Sequence, residues 1–424
     1  MKTVVIICPS HRDKRELRDL ASTLGYQIIF DVDMDKWFER IIQQEPDAIL
    51  PDAIPHTKLI DCLKEKYAHL PIDGITSSTD YPGSMFASIF AHHLGHVGVN
   101  PLASLLCHHK YYSRQAQQNI VPNATPRFWL LEPHDAPCDL TFPVFVKPVK
   151  SYFSKNTRTA TNAKDLAEAR LTCRFPKLYT EPLTYFIQQF VPNAIDAQAL
   201  LAEELLTGKQ VTVEGYAHNS HAYTFGIVDS TMYPGTISFK QFEYPSTLPP
   251  SIQERMKDIA STFINAIDFG TGLFNIEMIY NEEQNVIHII EINPRMSNQF
   301  ADLYERVDGI NTYQLLLELA VGTNPIVRKN KGSFSTAASF VLRLFKDKFV
   351  KKIPTNAEIE KIRTIFPDVR IEIFAQEGKK LSNELQDGMS YRYALINLGG
   401  TDNLDLLHRL NVCLEHLPFE FEDV

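Results

Sequence analysis

The stretch LFNIEMIYNEEQNVIHIIEINPRMSN, residues 273–298, decides the reading of this 424-residue chain. Two apolar runs, 273–280 and 286–292, flank an Asn-Glu-Glu-Gln-Asn turn, so the segment predicts a β-hairpin. Two carboxylates, Glu277 and Glu291, interrupt those runs. Alternation along a strand sets Glu291, Asn293 and Arg295 on one face. If the hairpin opposes residues of like parity, Glu277 faces Glu291 on the same sheet surface. Opposed carboxylates in an apolar setting repel, at a cost on the order of several kcal/mol each, unless a cation compensates. Two carboxylates and an amide are hard oxygen donors suited to Mg²⁺. Arg295 can grip a phosphate or carboxylate with a bidentate fork. The competing reading is a solvated or salt-bridged strand. Against it, Val286, Ile287, Ile289, Ile290 and Ile292 make both faces around Glu291 apolar.

Composition sets the outer bounds. The length predicts about two to four domains, and 44% hydrophobic with 22% charged residues is ordinary for a globular chain. A net charge of −9 offers no footprint for nucleic acid or an anionic membrane. No apolar run approaches the roughly 18 residues needed to span a bilayer. The first apolar run precedes its charges (His11, Arg12, Asp13, Lys14, Arg15), the wrong order for a signal peptide. Six scattered cysteines (Cys8, Cys62, Cys107, Cys138, Cys173, Cys413) form no C-x-x-C pair, and idle thiols in a reducing, cytoplasmic setting are expected.

Strand and helix patterns alternate over residues 1–100: strands at 3–8, 26–32 and 48–50, helices at 13–24, 37–44, 57–67 and 84–94. That predicts a parallel, Rossmann-like layer, without the G-x-G-x-x-G fingerprint of a dinucleotide site. His92 and His96 would share a face, and could hold a metal, if the helix ran one more turn. Next come a basic helix at 108–118, strands at 127–131 and 142–148, a polar loop, a helix at 163–169 and a strand YFIQQFV at 185–191. Further strands fill 211–243, a helix covers 251–267, and a strand at 335–345 opens a last segment. Trp37 and Trp129 sit in apolar patterns and are expected in the core. The acidic end, 420–423, reads as a solvated tail.

Taken in order, these features resemble the ATP-grasp superfamily: a Rossmann-like layer, a lysine-bearing helix, FPVFVKP, a flexible loop and E…E-x-N-x-R. The resemblance covers roughly residues 1–330. It implies an α/β and α+β fold, with a Rossmann-like domain at 1–104 and a two-lobed ATP-grasp domain at 105–330. The lid would lie at about 125–190, and a small C-terminal α+β segment at 331–424. Lys110 and Lys147 match the two lysines that reach nucleotide phosphates. Ser151 and Ser154 lie in the stretch SYFSKNTR, which aligns with the family's phosphate-covering loop but contains no glycine. Gln188, Gln189 and Val191 match the hinge strand whose backbone reads adenine. Glu277, Glu291 and Asn293 match the Mg²⁺ ligands, and Arg295 the arginine that orients an acyl phosphate. The implied cofactors are ATP and Mg²⁺, with Mn²⁺ able to substitute.

The activity implied is that of a cytoplasmic carbon–nitrogen ligase, of the biotin-carboxylase-like or amino-acid-ligase-like branch. ATP activates a small-molecule carboxylate as its acyl phosphate, an amine (or thiol) acceptor attacks, and ADP and phosphate are released. Neither nucleic acid nor membrane is an expected partner, and relatives often form homodimers. The alternatives are a biotin-carboxylase-type enzyme acting on bicarbonate and a catalytically silent nucleotide-binding module. Only the glycine-free loop favours the silent module.

Overall fold

A computed structural model describes residues 1–32, 56–131, 138–152, 154–384, 386 and 390–424. The helix expected at 37–44, the strand at 48–50 and Trp37 lie outside the described residues.

The chain opens with β1 (Lys2–Ile7), α1 (His11–Leu24) and β2 (Tyr26–Asp31), followed by α2 (His56–Tyr67), β3 (Gly74–Thr76) and α3 (Gly83–His93). β1 lies between β2 and β3, parallel to both. Val4, Val5, Ile6 and Ile7 are fully buried, as a central parallel strand covered on both faces requires. At about 1.5–3 kcal/mol per buried aliphatic side chain, these four anchor the layer. α1 starts on a capping box between Ser10 and Asp13 and stops at Gly25, whose φ of 74° suits glycine. α3 ends at His93, before the left-handed Gly95, so His96 does not continue the helix face that carries His92. Among the described residues no group of three His, Cys, Asp or Glu is placed to hold a metal ion.

α4 (Pro101–His108) and α5 (Lys110–Ile120) follow. The basic helix expected from residue 108 therefore begins at Lys110, because His109 is extended, with φ −101° and ψ 96°. The next elements are β4 (Phe128–Leu131), β5 (Val144–Pro148), β6 (Arg158–Ala160), α6 (Ala163–Thr172), α7 (Lys177–Phe190) and β7 (Leu200–Glu204). The strands form an antiparallel sheet in the order β4-β7-β5-β6, with Trp129 packed at the margin of its core. The strand expected at 185–191 is instead the end of α7. Its apolar residues bury one helical face: Tyr179, Leu183, Phe186 and Ile187 pack into the core beneath the first sheet, while Gln188 and Gln189 stay exposed.

An eight-stranded sheet dominates the rest. It is built from β8 (Lys209–His218), β9 (His221–Met232), β10 (Phe239–Tyr244), β11 (Gly272–Asn281), β12 (Val286–Asn293), β13 (Thr336–Leu344), β15 (Arg370–Ile373) and β16 (Tyr391–Gly400). The order is β12-β11-β8-β9-β10-β13-β16-β15, so strands beyond residue 330 extend the sheet that carries the hairpin. α8 (Pro250–Ala266) covers one face through Met256, Ala260, Phe263 and Ile264. α9 (Ala301–Asp308) and α10 (Thr312–Ala320) cover the other, where Leu303, Leu316 and Leu317 meet Val4, Ile6 and Leu17 of the first layer. One apolar core thus fixes the N-terminal layer against the hairpin sheet.

Completing the chain are β14 (Lys348–Lys352), α11 (Asn356–Ile365), α12 (Asn403–Glu415) and β17 (Glu420–Asp423). The acidic end is therefore a strand rather than a tail: β17 pairs antiparallel with the basic β14. Lys348 pairs with Asp423, Lys351 with Glu422 at 2.6 Å, and the Phe421 ring lies 5.2 Å from Tyr393. Complementary charge along an edge and one aromatic contact suffice to order it. All six cysteines are free thiols. Among the described residues no helix is long and apolar enough to cross a membrane.

Candidate functional site

The β11–β12 hairpin opposes Glu277 to Glu291 and Asn275 to Asn293, with a bulge between Glu277 and Met278. Equal parity holds across this part of the register, so the two carboxylates share a face as the sequence implies. Gln210 of β8 donates its Nε2 to Glu277 Oε2 at 3.0 Å. Lys110 Nζ reaches Glu291 Oε1 at 2.6 Å. Burial and the facing Glu291 push the Glu277 carboxyl up to about 7. Burial also raises Glu291, but Lys110 and Lys150 outweigh it and hold that carboxyl below its usual value. Lys110 thus pairs with one of the two opposed carboxylates, and among the described residues Glu277 has no cation within ion-pair distance. Asn293 is buried at the end of the strand, its Nδ2 3.4 Å from Asn275 Oδ1. Two carboxylates with an amide oxygen are a donor set that would fit a hard divalent ion.

Arg295 lies just past β12, with Nη1 donating to the Met296 carbonyl at 3.1 Å and Nη2 3.6 Å from Asp80 Oδ2. Asp80 follows β3 and brings the first layer into the site. Burial raises its carboxyl, but Lys150, Arg295 and His108 outweigh that and hold it well below the ordinary range. Its Oδ1 is buried without a hydrogen-bond partner. His108, fully enclosed, places Nε2 2.9 Å from Ser84 Oγ and Nδ1 3.3 Å from Lys150 Nζ. Burial followed by Lys150 holds its imidazole neutral, far below its usual range.

Lys147, on β5, is also buried, 2.7 Å from Glu203 Oε2 of β7. Arg114 clamps the same Glu203, with Nε to Oε1 at 2.7 Å and Nη2 to Oε2 at 3.2 Å. Burial raises Glu203, yet Arg114 and Lys147 bring it to about 2. Burial lowers Lys147 to about 8 against the pull of Glu203, so both remain ionised at neutral pH. Arg114 Nη2 also donates to the Ile290 carbonyl at 2.7 Å, which ties the four-stranded sheet to β12.

The structure brings Lys110, Glu277, Glu291, Asn293 and Arg295 together, with Lys147 in the adjoining network. Ser151 is buried at the root of the loop. Ser154 is exposed in a left-handed turn (φ 53°), its carbonyl accepting from the Thr157 hydroxyl at 2.8 Å. Gln188, Gln189 and Val191 lie at the end of a helix and not on a hinge strand. The strand that runs from the four-stranded into the eight-stranded sheet is β7, which reaches β8 across residues 205–208. Gly208 sits there at φ 137°, and a Cβ would come within 2.2 Å of the Tyr280 carbonyl, so the crossing presses on the hairpin. Asp229 is committed to structure, accepting from Thr247 N at 2.9 Å and pairing with Lys209 at 3.1 Å.

Sequence reasoning missed Asp80, His108, Arg114, Lys150, Glu203 and Glu214. Glu214 of β8 is fully buried, accepts from the Ser297 amide, and burial pushes it up to about 7. The signal that exposes Glu277, a carboxylate inside an apolar strand, is also present in VTVEGY at 211–216.

Residues 140–303 match the family described as the ATP-grasp domain. The carbamoyl phosphate synthase large chain of Kineococcus radiotolerans is 35% identical over 111 residues, which is 26% of this chain and 10% of that protein. The chain spans about a tenth of the length of the curated relatives it matches. Among solved structures, the L-amino acid ligase from Bacillus licheniformis has a TM-score of 0.73 at 16% identity, covering 100% of this chain and 99% of its own. The biotin carboxylase from Campylobacter jejuni has a TM-score of 0.64 at 14% identity, covering 99% of this chain and 92% of its own. At these identities the likeness is one of fold.

Proposed function

From a chain that carries an ATP-grasp domain over residues 140–303, we propose an ATP-dependent ligase that joins a carboxylate to an amine. The single observation that carries the reading is the register pairing of Glu277 with Glu291, of which only Glu291 has an ion-paired lysine, beside Arg295. A scaffold gains nothing from opposed buried carboxylates, whereas a metal–phosphate site requires them.

Glu277, Glu291 and Asn293 would hold Mg²⁺, which when bound offsets the charge of the phosphate oxygens. Lys110, released from Glu291, lies within reach of the same phosphates. The substrate carboxylate attacks the γ-phosphorus, the bond from that phosphorus to the bridging oxygen breaks, and ADP leaves. Arg295 orients the acyl phosphate with its two-pronged guanidinium. The amine then adds to the acyl carbon and loses a proton, the carbon–oxygen bond to phosphate breaks, and phosphate departs. No protein nucleophile is needed. The crossing from β7 to β8 takes the part of the adenine-reading hinge: it joins the two sheets and offers backbone groups beside the Lys147–Glu203 pair. Residues 1–104 and 105–330 serve as two units of the enzyme, and residues 331–424 extend the eight-stranded sheet of the second.

The test is ADP and phosphate release from Mg²⁺-ATP against pools of amino acids, hydroxy acids and bicarbonate, with products analysed by mass. A condensed product with stoichiometric ADP supports the ligase. Turnover confined to bicarbonate would favour the carboxylase type, and ATP binding without turnover in any pool would favour the silent module.

A further inference from the structure

Lys150 is 1% exposed, yet among the described residues no carboxylate pairs with it. The contrast with Lys110 and Lys147, 2.6 Å from Glu291 and 2.7 Å from Glu203, is direct. Its ammonium touches the neutral His108 through Nδ1 at 3.3 Å and lies 4.8 Å from the centre of the Tyr81 ring. A ring nitrogen and an aromatic face are weak contacts for a desolvated charge, which Asp80 and Glu291 offset from beyond ion-pair distance. Direct pairing does not account for Lys150.

Its position does. Lys150 heads the loop that covers phosphates in this fold, and that loop has no glycine. At the root of the loop the Val149 amide is spent on the Ala199 carbonyl at 2.9 Å, and the Val149 carbonyl accepts from the Lys110 amide at 3.0 Å. Tyr152 pins the next turn, with its ring 5.1 Å from Phe175 and 5.4 Å from Tyr179. A rooted backbone leaves the side chain as the source of positive charge. The charges that act on Lys150 are those of the site itself: Asp80, Lys110, Glu291 and Arg295.

We infer that Lys150 is a phosphate-binding residue, whose ammonium neutralises the ATP phosphates in place of the backbone N–H groups of a glycine-rich loop. The inference rests on the ligase reading above. The ammonium is parked against His108 and Tyr81 and exchanges that setting for phosphate oxygens, which a compact point charge on a flexible stem accepts readily. Burial lowers Lys150 to about 8, which still leaves it protonated at neutral pH.

The test is calorimetric binding of Mg²⁺-ATP, Mg²⁺-ADP and AMP to the full chain and to its K150M and K150R variants. Thermal unfolding and ATP turnover are measured in parallel. K150M should bind ATP roughly 10- to 150-fold more weakly, the range for one charge-assisted hydrogen bond. Its AMP affinity should stay within about twofold, while K150R recovers most of the loss. Should K150M not fold, the neutral K150Q makes the same comparison. Unchanged ATP affinity, or equal losses for ATP and AMP, would overturn the assignment. Wild-type protein that binds no adenine nucleotide would instead sink the ligase reading on which it stands, and the wild-type titration alone tells the two failures apart.

Discussion

Two buried glutamate centres are both tied to β12, and they are wired in opposite ways. Glu203 has Arg114 and Lys147 within hydrogen-bonding distance, so a single carboxylate meets two cations. Glu277 and Glu291 face each other, and only Glu291 has a cation within ion-pair distance. The first centre is closed and joins two sheets. The second is open and is built for an incoming cation. Buried charge by itself says little about function; the balance of charge around it says a good deal more.

The difference can be broken by neutralising each centre in turn. Glu277→Gln should lower Mg²⁺-dependent ATP turnover by roughly 10²- to 10³-fold, the scale of losing one preorganised charge contact at a reacting phosphate. Thermal unfolding should be unchanged or higher, since the variant relieves carboxylate repulsion. Turnover that survived would remove the metal role. Glu203→Gln reverses the pattern: removing the partner of a buried Arg–Lys pair should destabilise the fold by roughly 3–5 kcal/mol in urea titrations. A stability loss below about 1 kcal/mol would show that the first centre is not closed.

Acid sharpens the comparison from the side of the histidines. Burial lowers His109 to about 4, while the unfolded chain takes up that proton near 6.5. The unfolded state therefore binds more protons between those values, and stability that is complete above pH 6.5 is lost as pH falls toward 4. The loss amounts to about 3 kcal/mol for His109. Unfolding curves at stepped pH should show it, and a flat profile over that window would contradict a buried neutral imidazole. The smallest effect belongs to the C-terminal edge. Asp423→Ala removes an exposed pair with Lys348 and should shift stability by no more than about 0.5 kcal/mol, vanishing at high salt.

The hairpin was legible because two independent regularities coincide there: a period of two, and carboxylates that violate the apolar pattern. The lid was not. YFIQQFV is short and apolar, and such a run fits a strand or a buried helix equally well. Its helix begins after Pro176 with no side-chain cap and carries Pro182 inside, so the usual start signal is absent. The true inter-sheet strand, LLAEE, carries adjacent glutamates that read as helical or solvated. Partnerships such as Arg114 with Glu203, 89 residues apart, and Asp80 with Arg295 exist only once the layers have packed. For the same reason Lys110 was recognised as a site lysine by its place in the chain, while its grip on Glu291 was not.

The most direct test of the open centre is Mn²⁺ binding, followed by electron paramagnetic resonance in the presence of a non-hydrolysable ATP analogue, for the wild type and the E277Q/E291Q double variant. Nucleotide-dependent Mn²⁺ binding by the wild type, abolished in the double variant while the analogue still binds, is the expected result. Equal Mn²⁺ binding by both proteins would contradict the assignment of the paired carboxylates.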